Sequence, residues 1–209
     1  MLPQELAWLI EEYDPDDLNI RIENALYEND SITITINVYP AGEEPLRQRW
    51  VLRTARMQKF RIQGTFVSDL EEFDEHPFLW PLNELSVSLY IKQPARDPNA
   101  LFITITEIHD GTLGECEPIE THLNSGLKLK KLCALDNGLF ADGPLPLLKL
   151  YEAALRDAGC EPYIFGGKDP RRWDGRQWSS EKGTAKILLF GGNWIMAESF
   201  TWERLSSPT

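Results

Sequence analysis

Histidine and cysteine are scarce in this chain, three of each in 209 residues, and that scarcity removes most familiar catalytic chemistry. Cys116, Cys133 and Cys160 are odd in number, widely spaced and without a CxxC pair. They predict reduced thiols, not a disulfide framework. Cys133 and Cys160 lie in apolar settings, which raise a thiol's pKa and make it inert. No serine sits in a G-x-S-x-G elbow, and three histidines leave few bases to activate any nucleophile. Gly166-Gly167-Lys168 and Gly191-Gly192-Asn193 lack the Walker spacing and read as turns. No cofactor is expected.

Long apolar runs are also missing. No stretch approaches the roughly 18 consecutive apolar residues of a membrane span, so no membrane association is expected. Leu2, Leu6, Leu9, Ile10 and Tyr13 recur at helical spacing, but Glu5, Glu11 and Glu12 interrupt them and no basic segment precedes. That pattern predicts an amphipathic helix over 3–13 and no signal peptide, with the cytoplasm as the expected location. Internal repeats, low-complexity tracts and Pro/Gly/Ser linkers are absent as well. A single domain over 1–209 is expected, with 1–95 and 96–209 as its halves. A chain of this length buries roughly 70% of the surface its unfolded form exposes, enough to fold without a metal or disulfide.

Positive charge is the third deficit. Lys and Arg number 21 against 33 Asp and Glu, a net charge of −12, and that balance opposes nucleic acid as a partner. The charge is segregated, however. Between Leu46 and Gln63 stand Arg47, Arg49, Arg53, Arg56, Lys59 and Arg61 with no acid, while residues 1–30 hold nine acids against Arg21 alone. Asp69, Glu71, Glu72, Asp74 and Glu75 form a second acidic bunch.

The chain has clear strand periods. Leu18, Ile20 and Ile22 alternate with polar residues, as do Ile32, Ile34, Ile36 and Val38, with a turn at Glu28-Asn29-Asp30. Further strands are predicted around 46–54, 58–67 and 85–91, and the first four of the series are expected to pair as an antiparallel meander. The segment 100–110 admits two readings. Leu101, Ile103 and Ile105 alternate with Thr104 and Thr106 as in a strand, whereas Asp97-Pro98 starts a helix and Leu101, Phe102, Ile105 and Ile108 fit one helical face. The balance favours helix. Leu147, Leu148, Tyr151 and Leu155 make one helical stripe over 144–158, stopped by Gly159. Apolar strands at 186–190 and 194–202 flank a Gly191-Gly192-Asn193 hairpin signal. The expected fold class is α+β, with an N-terminal antiparallel β-meander plus helices and a C-terminal helix followed by a β-hairpin.

Two binding surfaces follow from these elements. Residues of like parity share a face of a strand. Arg47, Arg49 and Arg53 then oppose Trp50 and Leu52, and Lys59 and Arg61 oppose Phe60 and Ile62, so the basic residues are expected on the solvent face of neighbouring strands. Opposite charge is expected against them, either on a partner or on the chain's own Glu11–Asp17 and Asp69–Glu75 stretches. The second surface is a hairpin at Asp174-Gly175. It sets Trp173 against Arg176 and Arg171 against Trp178, the residue types most enriched at interface hot spots. Glu107, His109, Asp110, Glu115, Cys116, Glu117, Glu120 and His122 collect metal-type ligands. Their spacing matches no HExxH arrangement, so no metal site is expected; His109, Cys116 and His122 are the ligands one would draw on.

The function expected is that of a non-catalytic acidic interaction protein, an inhibitor, immunity-type partner or accessory subunit. It would engage a protein with an acidic or mixed surface through Arg47, Arg49, Arg53, Lys59, Arg61, Arg171, Trp173, Arg176 and Trp178. The alternatives are a metal-dependent or small-molecule enzyme using the 107–122 cluster and, behind it, single-stranded nucleic-acid contact through Arg and Trp.

Overall fold

The structure, a computed structural model, describes residues 1–14, 17–42, 47–124, 126–170, 172–173, 178–179 and 183–205. The chain is α+β, its sheets antiparallel, and it divides into two compact units: residues 1–76 with 184–209, and residues 77–183. The sequence-based halves met at 95/96, whereas these units meet at 76/77 and again at 183/184. Among the described residues no helix is long and apolar enough to cross a membrane.

The first unit begins with helix α1 (Gln4–Glu12), whose Leu6 and Leu9 are buried. Strands β1 (Leu18–Glu28), β2 (Ser31–Pro40) and β3 (Gln48–Ala55) follow as a meander. Their turn holds Asn29 at φ 52, a left-handed conformation that Asn tolerates. Three short strands come next, β4 (Lys59–Arg61), β5 (Phe66–Val67) and β6 (Leu70–Phe73). The expected fourth meander strand over 58–67 does not form: β4 pairs with the later strand Asn193–Ala197 and not with β3. Arg56 takes φ 49 and turns the chain out of the first sheet.

The second unit contributes β7 (Ser86–Ile91), β8 (Gly138–Pro144), β9 (Pro162–Lys168), β10 (Arg172–Trp173) and β11 (Trp178–Ser179). Its helices are α2 (Trp80–Asn83), α3 (Pro98–Asp110), α4 (Leu129–Leu132) and α5 (Leu145–Asp157). The chain then returns to the first unit as β12 (Lys186–Phe190), β13 (Asn193–Ala197) and β14 (Ser199–Leu205).

That return closes the first unit. One sheet has the order β14-β3-β2-β1-β5 and the other β4-β13-β12-β6. Because β3 runs on into β4, β5 into β6 and β13 into β14, the ladders form one circuit: β1, β2, β3–β4, β13–β14, β12, β5–β6 and back to β1. It is a six-position antiparallel barrel, closed between β1 and β5 at Ile20 and Arg21. Its apolar interior comes from facing pairs such as Ile20 with Val38, Ile34 with Leu52, Leu188 with Ile195 and Phe190 with Leu70, with α1 contributing Leu6 and Leu9.

In the second unit β7 lies between β8 and β9. Val87, Leu89 and Ile91 on one face of β7 are buried with Leu101 and Ile105 of α3 and with Leu147, Leu148, Tyr151 and Leu155 of α5. Asp97 caps α3 by accepting hydrogen bonds from the backbone N–H groups of Asn99 and Ala100. Gly159 ends α5 at φ 88, a conformation that favours glycine.

Asn193 holds the barrel's two connections together. Its Oδ1 accepts from the backbone N–H of Gln63 at 2.7 Å and Gly64 at 3.2 Å, and its Nδ2 donates to the Phe190 carbonyl at 3.1 Å. Asn193→Ala leaves these backbone groups without their partner, so we expect a loss of about 2–4 kcal/mol in chemical denaturation. An unchanged midpoint contradicts this role.

Candidate functional site

The basic residues of β3 lie on the barrel's outer face, as the parity argument expected, but the chain's own carboxylates meet them. Arg49 pairs with Glu23 at 2.8 Å, Arg53 with Glu203 at 2.6 Å and Arg56 with Glu198 at 3.3 Å. The Arg47 guanidinium stands 5.9 Å from the Tyr39 ring centre. These acids come from β14 beside β3, from β1 one strand further on across β2, and from the corner between β13 and β14, not from the Glu11–Asp17 or Asp69–Glu75 stretches. Glu72 and Asp74 instead receive Lys186, at 3.4 and 2.9 Å, and the Asp74 hydrogen bond is the main cause of a raised Lys186 pKa.

The second half of the basic segment departs from expectation. Lys59 and Arg61 are half-buried, and it is Phe60 that is exposed, stacked on Tyr27 at 5.7 Å between ring centres. The reason is the turn at Arg56, after which β4 pairs with β13. β3 and β4 therefore belong to different sheets, and the six basic residues form no common face of paired strands.

The tryptophan hairpin exists in a different register. Trp173 lies opposite Trp178, and Arg172 opposite Ser179. Four residues thus separate the paired positions, where the sequence suggested two. Arg171 and Arg176 lie outside the described residues, as do the side chains of Trp173 and Trp178.

The 107–122 segment is partly gathered. Glu107 and His109 sit on α3, and their spacing turns them to different sides of the helix: Glu107 is exposed and His109 is buried. His109 is engaged at both nitrogens, Nδ1 with the Tyr151 hydroxyl and Nε2 with the Glu117 carbonyl, each at 2.8 Å. His122 Nε2 lies 2.9 Å from Glu117 Oε2, close enough for an ion pair when protonated but out of hydrogen-bond alignment. Glu115 and Glu120 are exposed and Cys116 is half-buried. Among the described residues no three His, Cys, Asp or Glu are placed to hold a metal. His109 is committed to packing: its bonds fix the end of α3 against α5. Burial, with Asp110 adding to it, raises the Tyr151 pKa.

A cleft that sequence reasoning missed lies over the outer face of the β8-β7-β9 sheet. Directly opposed residues of adjacent strands share a face. Tyr90 is flanked by Leu139 and Tyr163, Ser88 by Asp142 and Phe165, and Ser86 by Pro144 and Lys168. Small serines along the central strand leave a trough of about 460 Å³ between taller neighbours. Tyr90 stacks on Tyr163 at 5.4 Å, and Lys92 Nζ stands 5.0 Å from the Tyr163 ring centre. Phe165 is 68% exposed. The Ser88 hydroxyl donates to Asp142 Oδ1.

Both flanking strands reach this arrangement through bulges. Leu139 and Asp142 are three apart yet share the outer face because β8 carries an extra residue opposite the Leu89–Tyr90 step. Phe165 and Lys168 share it because β9 does the same opposite Ser86–Ser88, with Gly166 at φ 73. A second cleft, of about 340 Å³, adjoins the first through Ser86 and Asp142 and adds Glu84, Glu117 and His122. Gly143 is required there, since a Cβ would stand 2.8 Å from His122 Nδ1. The joined groove thus carries three carboxylates (Glu84, Glu117, Asp142) against Lys168 and a histidine. Such a groove is suited to holding a cation. Comparison with protein-family models, with curated proteins and with solved structures finds no match to this chain.

Two expectations follow. Arg49→Glu with Arg53→Glu sets like charges against Glu23 and Glu203 and lowers stability by about 1 kcal/mol in total, since exposed pairs are individually small. Thermal melts should show the loss at low salt and its decline as screening sets in at a Debye length of ~10 Å in 0.1 M salt. Burial, with Cys160 nearby, pushes the Cys133 thiol up to about 12, and burial also raises Cys160. Alkylation of the native protein at pH 8 should therefore label Cys116 first, and Cys133 and Cys160 only after denaturation; rapid native labelling of Cys133 contradicts this.

Proposed function

We propose that this chain is a non-catalytic interaction protein whose partner carries positive charge. The observation that supports this reading is the internal neutralisation of Arg49, Arg53 and Arg56 by Glu23, Glu203 and Glu198. With those cations occupied, the surplus of 12 acids (33 less 21) sets the long-range field. Such a field draws a cationic partner and repels an acidic one. A partner with an acidic or mixed surface, envisaged from sequence, would instead have to draw Arg49, Arg53 and Arg56 away from Glu23, Glu203 and Glu198. Inhibitor, immunity-type or accessory roles all remain within this reading, since each requires only a stable charged surface.

The test is co-purification of the tagged chain from its own cells at low salt, with mass analysis of what remains bound. Retained proteins should have basic isoelectric points and leave as ionic strength rises, and Arg49→Glu with Arg53→Glu should not release them. Acidic partners, or release by the arginine reversals alone, overturn the reading.

A further inference from the structure

We infer that the cleft over β7 is a recognition site for a guanidinium group, an arginine side chain of the cationic partner. This rests on the reading of the chain as an interaction protein and names where that partner is held. The geometry starts from the sheet. β8 and β9 flank β7 at about 4.8 Å on either side, so Asp142 and Phe165, both opposite Ser88, stand roughly 10 Å apart across it. A planar group laid over Ser88 has a carboxylate on one side and an aromatic ring on the other, with Tyr90 at its end.

Guanidinium suits both walls: it binds carboxylates through paired N–H donors and stacks on aromatic rings. An ammonium ion shares the charge but not the flat face. Ser88 donates to Asp142 Oδ1, which turns the carboxylate toward the trough and leaves its other lone pairs available. Glu84 and Glu117 in the adjoining cleft reinforce the negative potential. Lys168 lies on the far strand, opposite Ser86 and one step along from Phe165. With Lys92 over the Tyr163 ring at the Tyr90 end, positive charge stands at both ends of the trough and confines a guanidinium to its middle, over Ser88. Phe165, 68% exposed, offers an open ring face beside the bulge at Gly166 for stacking.

The test titrates the full chain, followed by amide NMR shifts, with three blocked tripeptides that differ only in a central arginine, citrulline or lysine. The arginine peptide should shift amides of 86–90, 141–143 and 165–168. Citrulline, neutral and of equal shape, should bind at least tenfold more weakly, and lysine several-fold more weakly. Asp142→Asn and Phe165→Ala, both at exposed positions, should each weaken arginine binding about five- to tenfold with melting unchanged, and Glu11→Gln should not. Absence of saturable shifts at those amides, citrulline binding equal to arginine, or an unaffected Asp142→Asn variant overturns the assignment, and equal lysine binding overturns its guanidinium specificity. A basic cellular partner still captured by Asp142→Asn with Phe165→Ala removes the cleft from the account and leaves the wider reading standing. Arginine binding at the cleft without any basic cellular partner removes the wider reading alone.

Discussion

The first unit depends on a pairing that the chain completes late. Three consecutive strands, β1 to β3, form a meander by local turns, and a meander in isolation has two open edges. Here both are satisfied by the chain's last strands or by segments docked on them. β14 covers β3, and β12 receives β6, whose neighbour β5 closes on β1. Lys186 reaches Glu72 across 114 positions of sequence to hold the closing pair. The whole second unit is an excursion between β6 and β12, so loop closure must precede much of the barrel's stabilisation.

The same closure explains the charge pattern. A barrel's outer face takes polar side chains, and three of the basic residues crowded in sequence are separated in space by the corner at Arg56. Each arginine of β3 then finds a carboxylate on a strand that is distant in sequence: Glu23 from β1, Glu203 from β14. The basic segment is thereby part of the barrel's own surface, and the net charge of the molecule is carried by its unspent acids. The second unit uses polarity differently. Its buried His109 is satisfied by a tyrosine and a carbonyl, and a buried polar group so engaged serves packing. Its open groove, in contrast, sets carboxylates beside exposed aromatic rings.

Local rules made much of the fold legible. The alternation in Ile32, Ile34, Ile36 and Val38 is β2, and the stripe of Leu147, Leu148, Tyr151 and Leu155 is the buried face of α5. The turns at Asn29-Asp30 and Gly191-Gly192 join the strands they were expected to join. Asp97 caps α3. The groove was not legible, because Ser86, Ser88 and Tyr90 look like the solvent side of any half-buried strand. Asp142 and Phe165 are 23 positions apart and meet only through β7.

The amino-acid sequence by itself determined the elements whose causes lie within a few residues: helical and strand periods, caps and tight turns. It also determined the acid surplus that any fold of this chain must carry. Tertiary structure alone decided three things: which strands pair, which carboxylates take up the arginines, and which side chains share the face over β7. Each depends on contacts between distant segments. Face assignment by parity also fails at a bulge, where one extra residue reverses every side chain beyond it. The reversals in β8 and β9 bring Leu139 and Lys168 onto the face that Asp142 and Phe165 share, and the break at Arg56 sent β3 and β4 to different sheets.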